Sequence, residues 1–432
     1  MALKGQMAMA QIKIPYGRTG IAANISGDKL LGIYEAGLPA EAADPIAEVE
    51  NALDHPIGSK KLEELAAGKQ NAVIIASDHT RPVPSKILMP ALLKRLRAGS
   101  PNIDITILIA TGCHRETSRA ELVEKFGEQI VDNEKIVVHD SSDKASLVYV
   151  GTLPSGGELV LNKMVMEAEL LISEGFIEPH FFAGFSGGRK SVLPGVAARE
   201  TVLANHCSEF IQSPFARTGN LENNPIHKDM VFAAGKANLA FILNVVINGE
   251  KHIVKAFAGH REKAHEAGCA FLKNACKVSV PAADIVITSN GGYPLDQNIY
   301  QSVKGMTAGE AVCREGGIII LAASCSDGHG GNAFYKVLSE CESAQALLDS
   351  IANIPRDKTT PDQWQYQILA RILAKYKVII VTNDCDHEMI RQMKMMAANS
   401  IDEALAMAKE FVGDNATIAV IPDGVSVIVE KQ

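Results

Sequence analysis

The segment AVIIASDHTRPVPSKILMPALLKRLRAG, residues 72–99, contains one complete step of an architecture. A run of mostly β-branched residues, too short for a helix, leads into a proline-stiffened polar loop. A long stretch of helix formers follows, with apolar positions recurring every three to four residues. The next segment, IDITILIATGCHRETSRAELVEKFG (103–127), repeats the step. Strand, loop, helix, strand in this order is the pattern of parallel α/β layers, because a parallel neighbour is reached only by a crossover that returns the chain to the same end of the sheet. Ser118 with Glu121 three residues on is a capping box. The helix therefore starts there, and TGCHRE is the loop at a strand's C-terminal end.

Working outward, KIVV (135–138) and ELLI (169–172) read as further strands, with SRAELVEKFG (118–127) a helix between them and the second strand above. A second series begins near Ala283, with strands ADIVITSN, GIIILAAS, KVIIVTND and ATIAVIPD separated by helices AGEAVCREG, DQWQYQILARILAKY and SIDEALAMAKEFVG. AFILNVVING and the helix-like HREKAHEAGCAFLKNAC lie between the two series, which places a boundary near residue 276. The expected fold is α/β: two α/β domains with mostly parallel sheets, residues 1–276 and 277–432, and an active-site cleft between them, since small-molecule sites favour domain interfaces and the carboxyl ends of parallel strands.

Composition narrows the function classes. The 432 residues carry 42 Lys+Arg against 50 Asp+Glu, a net charge of −8, which argues against general nucleic-acid binding. One Trp and 5% aromatic residues leave no stacking platform for single strands. No apolar run approaches the ~18 residues of a membrane span, and the N-terminus lacks a signal-peptide pattern. Eight cysteines without a CxxC pair suit a reducing, cytoplasmic compartment rather than a disulfide framework or zinc ribbon.

The chemistry collects in loops that follow strands. Asp78, His79, Thr80 and Arg81 bring a carboxylate, an imidazole, a hydroxyl and a guanidinium to one strand end; a solvated, proline-rich turn is the bland alternative. In TGCHRE, His114 is a candidate general acid or base because its ordinary pKa lies near neutrality. Cys113 beside it is no nucleophile partner, since adjacent extended residues point apart. The densest segment is EGFIEPHFFAGFSGGRKSVLPGVA (174–197). Its GFSGGRKS nearly spells a phosphate-binding P-loop, with Arg189 where the second glycine belongs. Backbone amides around Gly188, with Arg189 and Lys190, suit an anion such as a phosphate. Lys190 is equally a candidate covalent anchor, and a flexible surface loop is the bland reading. His206 falls on the apparent helix RETVLANHCSEF, sharing a face with Leu203 and Phe210; core histidine and metal ligand are both open. In GGYPLDQNIYQSVKG, Gln301 and Lys304 lie on one helical face beside Tyr300, a reasonable grip for a carboxylate or simply a solvated face.

Taken together, DHTRP, TGCHRE, EPHFFAGFSGGRKSVLPG, LANH, YQSVK and DQWQ, in this order over residues 12 to 425, resemble the nickel-dependent lactate racemase family. The resemblance implies an enzyme that inverts the α-carbon of a 2-hydroxy acid, lactate or a similar short acid first, through a 2-keto acid. It implies a nickel-pincer cofactor, a Ni(II) pyridinium-3,5-bisthiocarboxylic acid mononucleotide, tethered at Lys190 and capped on the metal by His206. One protein nitrogen suffices if the cofactor supplies the other near-square donors that Ni(II) favours. Asp78, His79, Thr80, Arg81, Gly188 and Arg189 match the cofactor-contacting segments. His114 and His180 match the paired proton donors and acceptors, Gln301 and Lys304 the carboxylate clamp, Tyr300 and Trp364 the pocket wall. Phe181 and Phe182, beside His180, are placed to tune the substrate's side chain. The implied partners are the small acid and, transiently, the enzymes that make the cofactor, with no nucleic acid and no membrane. The competing readings are a P-loop-like ATPase and a non-enzymatic carrier of the metal cofactor; metal-assisted hydrolysis lacks an HExxH or spaced carboxylate set.

Overall fold

The structure is a computed structural model that describes residues 9–27 and 29–432. It divides into two compact units, one of residues 38–275 with 356–358, the other of the segments up to Gly37, 276–355 and 359–432. The larger contiguous unit is built on a six-stranded sheet in the order Ile253–Gly259, Leu239–Ile247, Leu171–Phe176, Asn71–Ser77, Asp104–Ala110, Lys135–Val138. All neighbours are parallel except the antiparallel edge strand Ile253–Gly259. Helix Ser85–Gly99 connects Asn71–Ser77 to Asp104–Ala110, as the repeated step requires. Its apolar face, Leu88, Leu92 and Leu96, is buried with Ile74, Ile107 and Ile172 of the sheet in one core. Ser118 and Glu121 close the capping box and start helix Arg119–Phe126.

The other unit has a fully parallel six-stranded sheet in the order Met396–Ala398, Lys377–Val381, Cys313–Ala322, Ala283–Ser289, Ile418–Ile421, Leu30–Ile33. Its inner strands are continuous Ile, Val, Leu and Ala runs, the composition of strands covered on both faces. The last member corrects the sequence reading, which assigned everything before residue 276 to one N-terminal domain: Leu30–Ile33 pairs in parallel with Ile418–Ile421, and the hairpin Met9–Ile14/Ile21–Ser26 packs its Ile12, Ile14, Ala23 and Ile25 into this unit's core. Residues 1–8 lie outside the described residues. Short strands carry too little pattern to reveal a partner so far along the chain.

Two further elements differ from expectation. The strand expected over 169–172 is Leu171–Phe176, so Glu174 lies inside it. AGEAVCREG is the end of one element and the start of another, because helix Ile299–Val312 stops before Cys313, where the long strand Cys313–Ala322 begins. Among the described residues no helix is long and apolar enough to cross a membrane, and all eight cysteines are free thiols.

Candidate active site

Strands Leu171–Phe176, Asn71–Ser77 and Asp104–Ala110 are consecutive and parallel, so the loops that follow them leave the same edge of the sheet. With strands ~4.8 Å apart, three loops far separated in sequence become neighbours. This is how DHTRP, TGCHRE and the glycine-rich segment meet.

On the first two loops, His114 Nδ1 lies 2.6 Å from Asp78 Oδ2. The other carboxylate oxygen accepts from Thr80 Oγ1 at 2.6 Å and from Thr80 N at 3.2 Å, while Arg81 donates to Thr80 Oγ1 at 2.9 Å. Asp78 is buried and the His114 side chain is 45% exposed. Burial alone would raise the Asp78 carboxyl, but the His114 imidazole, the Thr80 bonds and the Arg81 charge overcome it and hold the group down to about 2. Asp78 is thus an anion through the neutral range. Fixed at Nδ1, it keeps the lone pair of the neutral ring on Nε2, the arrangement of an oriented general base.

His79 points elsewhere. Its Nδ1 is 3.1 Å from Thr117 Oγ1 and its Nε2 is 3.8 Å from Glu121 Oε1, so it braces the capped helix rather than joining Asp78. Beneath the loop, Ser85 Oγ donates to the fully buried Glu174 at 2.6 Å, and Lys125 Nζ donates to Arg81 O at 3.3 Å. Burial pushes the Glu174 carboxyl up, against the pull of Lys125 and Ser85. Sequence reading missed Glu174 because a lone carboxylate in ELLISEGF looks like a strand end. The signal was the apolar run resuming after it.

The third loop holds the remaining groups. Pro179–His180 pairs antiparallel with Gly184–Phe185, and Ala183 N donates to His180 Nδ1 at 3.3 Å. Phe182 is central: its ring meets the His180 ring edge-on at 4.5 Å and the His206 ring edge-on at 5.2 Å, with Lys190 Nζ 5.7 Å from its centroid. Phe181 stacks on His180 at 5.0 Å. His206 ends helix Arg199–Asn205, and a separate helix Ser208–Gln212 follows, so the continuous helix expected over RETVLANHCSEF is broken at this residue. The break turns the ring inward. Its Nδ1 donates to Val202 O at 2.9 Å, which leaves the lone pair of the neutral ring on Nε2. Burial, then the Lys190 charge, hold the imidazole down to about 3. A neutral imidazole locked through one nitrogen is the metal-binding form. Among the described residues no group of three or more His, Cys, Asp or Glu could hold a metal ion by itself.

The glycine-rich turn is not the anion cradle its sequence suggests. Gly188–Ser191 is a single 3₁₀ turn, not the start of a long helix, and Gly188 N donates to Asn244 Oδ1 at 2.8 Å while Lys190 N donates to Gly187 O at 3.1 Å. The close approach that demands glycine is to protein: a Cβ at Gly188 would lie 2.7 Å from the His265 ring, and one at Gly187 2.7 Å from Asn244 Oδ1. This geometry also removes the P-loop reading. Arg189 corrects the sequence expectation as well. It is 2% exposed and turned inward, away from any role as a phosphate-binding cation.

In the other unit, Asn298 caps helix Ile299–Val312 by accepting from Gln301 N at 2.9 Å. Ser302, Val303, Gly305 and Met306 are buried, which leaves Gln301 and Lys304 together on the half-buried face. Tyr300 donates its phenol to Asp362 Oδ1 at 2.8 Å and packs edge-on to Phe334 at 5.2 Å. Burial, then Asp362, push that phenol up, so it stays protonated. Trp364 stands at the start of helix Gln363–Leu373, whose N-cap Asp362 has φ 65°, a left-handed conformation disfavoured for any side chain. Gln365 holds the Tyr300 carbonyl. Asp362 is a second residue that sequence reading passed over, in a motif where the tryptophan drew attention.

Comparison with known proteins places the whole chain in a family. Residues 16–219 match the lactate racemase N-terminal domain and residues 278–429 the lactate racemase C-terminal domain. The chain is 56% identical to a lactate racemase of Thermoanaerobacterium thermosaccharolyticum, over 98% of this chain and 100% of that protein. It is 54% identical to a lactate racemase of Lactiplantibacillus plantarum with the same coverage. The structure of the T. thermosaccharolyticum lactate racemase apoprotein superposes with a TM-score of 0.95, covering 97% of this chain and 100% of that one at 56% identity. A Thermotoga maritima protein, at 19% identity and a TM-score of 0.64 over 91% of this chain and 100% of its own, shares the fold alone. With two domain matches in succession and more than half its residues shared with two racemases along nearly their whole length, the chain belongs to the lactate racemase family of isomerases.

Proposed function

We propose that this protein racemises a short 2-hydroxy acid, lactate first, with a nickel-pincer pyridinium mononucleotide tethered at Lys190 and ligated at the metal by His206. The observation that carries the reading is the state of His206: buried, neutral, fixed through Nδ1 to Val202 O, and sharing the Phe182 ring with Lys190 and His180. When bound, the cofactor's contribution is to take up the α-hydrogen as hydride and return it. What remains is proton handling and orientation, which fall to the chain. His114, aligned by the Asp78 anion, takes the hydroxyl proton from one enantiomer through Nε2 and gives it back; His180 serves the opposite hand. Two bases are needed because, with the carboxylate held in one place, the two enantiomers present their hydroxyl protons in different directions. Gln301 and Lys304 hold the substrate carboxylate, the first by an amide N–H and the second by charge. Tyr300, kept protonated, and Trp364 form a wall. Thr80, bonded to Asp78, and Arg81, bonded to Thr80, would hold the cofactor from the Asp78 loop. The lactate preference rests on the names of the relatives and on Phe181 and Phe182 beside His180, which favour a small apolar substituent. Enzymes that make the cofactor are transient partners, and the free thiols fit a cytoplasmic setting.

The test is intact-protein mass spectrometry with nickel analysis on protein co-expressed with the cofactor's biosynthetic enzymes. The expected result is a mass increase mapped to Lys190 and bound nickel, both lost in Lys190→Ala. Full activity in unmodified, nickel-free protein would end the reading. Racemisation of 2-deuterated lactate in ordinary water then reads the chemistry: retained deuterium supports hydride transfer, and washout supports simple proton abstraction.

A further inference from the structure

Arg189 is a buried cation with an unusual set of partners. Its Nη2 donates to Ala183 O at 2.7 Å, and its Nη1 reaches Phe185 O at 2.8 Å, Ser186 O at 3.2 Å and Gly187 O at 3.3 Å. Its Nε donates to His227 Nδ1 at 3.0 Å. His265 Nε2 sits 3.0 Å from Nη1 and 2.8 Å from Ser186 O, so it satisfies one of those two at a time. Among the described residues no carboxylate pairs with this guanidinium. A buried charge is tolerated only when its donors are met, and here carbonyl dipoles meet them.

The four carbonyls belong to residues 183–187, the stretch between His180 and Lys190, and Arg189 itself precedes Lys190 in the turn. We propose that Arg189 is the positioning residue that joins the His180 hairpin and the Lys190 turn into one rigid piece, setting the distance between the base on one side and the amine on the other. The proposal rests on the roles given to His180 and Lys190 above. The planar fork is essential to it: its N–H groups diverge to carbonyls in several directions, whereas a lysine ammonium is a single point that reaches one or two. His227 and His265 are part of the same device. Burial and the adjacent guanidinium hold both rings neutral, so His227 Nδ1 keeps the lone pair that Nε needs. The glycines at 187 and 188 let His265 and Asn244 close on the turn from below.

The test is amide hydrogen exchange on the full-length protein without cofactor, comparing wild type with Arg189→Lys and Arg189→Met. Exchange at residues 180–191 is expected to accelerate at least tenfold in both, with the sheet strands 71–77 and 104–110 unchanged. In co-expressed, loaded protein, racemisation kcat is expected to fall at least tenfold while KM for the acid moves less than threefold. A folded variant with wild-type protection over 180–191 and wild-type kcat overturns the proposal. If the Arg189 variants do not fold, His227→Leu, which takes away the acceptor of Nε, decides: faster exchange confined to 180–191 supports the proposal and unchanged exchange there overturns it. Absence of a Lys190 adduct in active wild-type protein would remove the cofactor reading, while the exchange experiment judges Arg189 on its own.

Discussion

At the scale of single residues, the site depends on groups whose protonation is set by a neighbour. Asp78 is the clearest. Because it titrates near 2, it remains an anion wherever the enzyme works, and its effect is to orient His114 rather than to exchange protons. Asp78→Asn keeps the shape and removes the charge. Racemisation kcat should drop by ~10²–10⁴, the range of misoriented general bases, with the fold intact by circular dichroism. An activity within threefold of wild type would show that the 2.6 Å contact is incidental. His114→Ala and His180→Ala should each abolish inversion, and substantial turnover in both would end the two-base scheme. The residue types at this site were legible in sequence because DHTRP and TGCHRE place unusual polar groups at strand ends. The roles of His79 and Arg189 were not. An imidazole or a guanidinium in a loop looks the same whether it faces a ligand or a row of carbonyls, and only the carbonyls' positions decide.

Between elements, what counts is how one helix is held against the next. In the unit that holds residues 276–355 and 359–432, helix Ile299–Val312 carries Gln301 and Lys304, and helix Gln363–Leu373 carries Trp364. They are joined by Arg371, which grips Glu310 with Nε and Nη2, each at 2.7 Å, with side chains only 9% and 13% exposed. Removing one partner of such a pair leaves a desolvated charge. Arg371→Met should therefore cost about 3–5 kcal/mol in urea unfolding and raise KM for the acid. Adding Glu310→Leu should restore most of the stability. If the single substitution costs under 1 kcal/mol, the clamp is not what holds the two helices. The helical period of Gln363–Leu373 was plain in sequence, whereas the end of Ile299–Val312 was not. The break at His206 was not, since RETVLANHCSEF keeps a helical pattern across the two short helices and contains neither glycine nor proline to mark the stop.

Over the whole molecule, the alternation of strands and helices made the α/β class readable, and the spacing of motifs made the family readable. The sheet membership of Leu30–Ile33 was beyond reach, because four residues carry no signal about a partner near the other end of the chain. The stability of the unloaded protein should also fall with acid earlier than carboxylates alone would dictate. His206 and His227 are held down to about 3, and burial and the Arg189 charge also hold His265 well below the 6.5 of an unfolded histidine. Below pH 6.5 the unfolded chain takes up protons that the folded protein refuses, which costs ~1.4 kcal/mol per pH unit for each such group. Glu174 and Asp229, raised by burial, oppose this because folding helps them take a proton. Asp78 loses its contribution only below 3.8. The Tm should decline steadily between pH 6.5 and 4.5, with a shallower slope in His227→Leu, and a flat Tm over that interval would contradict the account.

The pairing of Leu30–Ile33 with Ile418–Ile421 also has a consequence for synthesis. On the ribosome, strand Leu30–Ile33 emerges long before its partner Ile418–Ile421 is made. The unit of residues 38–275 has nearly all of its chain in hand long before that and can condense while the leading segment is still unpaired. The pairing of that edge strand therefore waits on the translation of Ile418–Ile421.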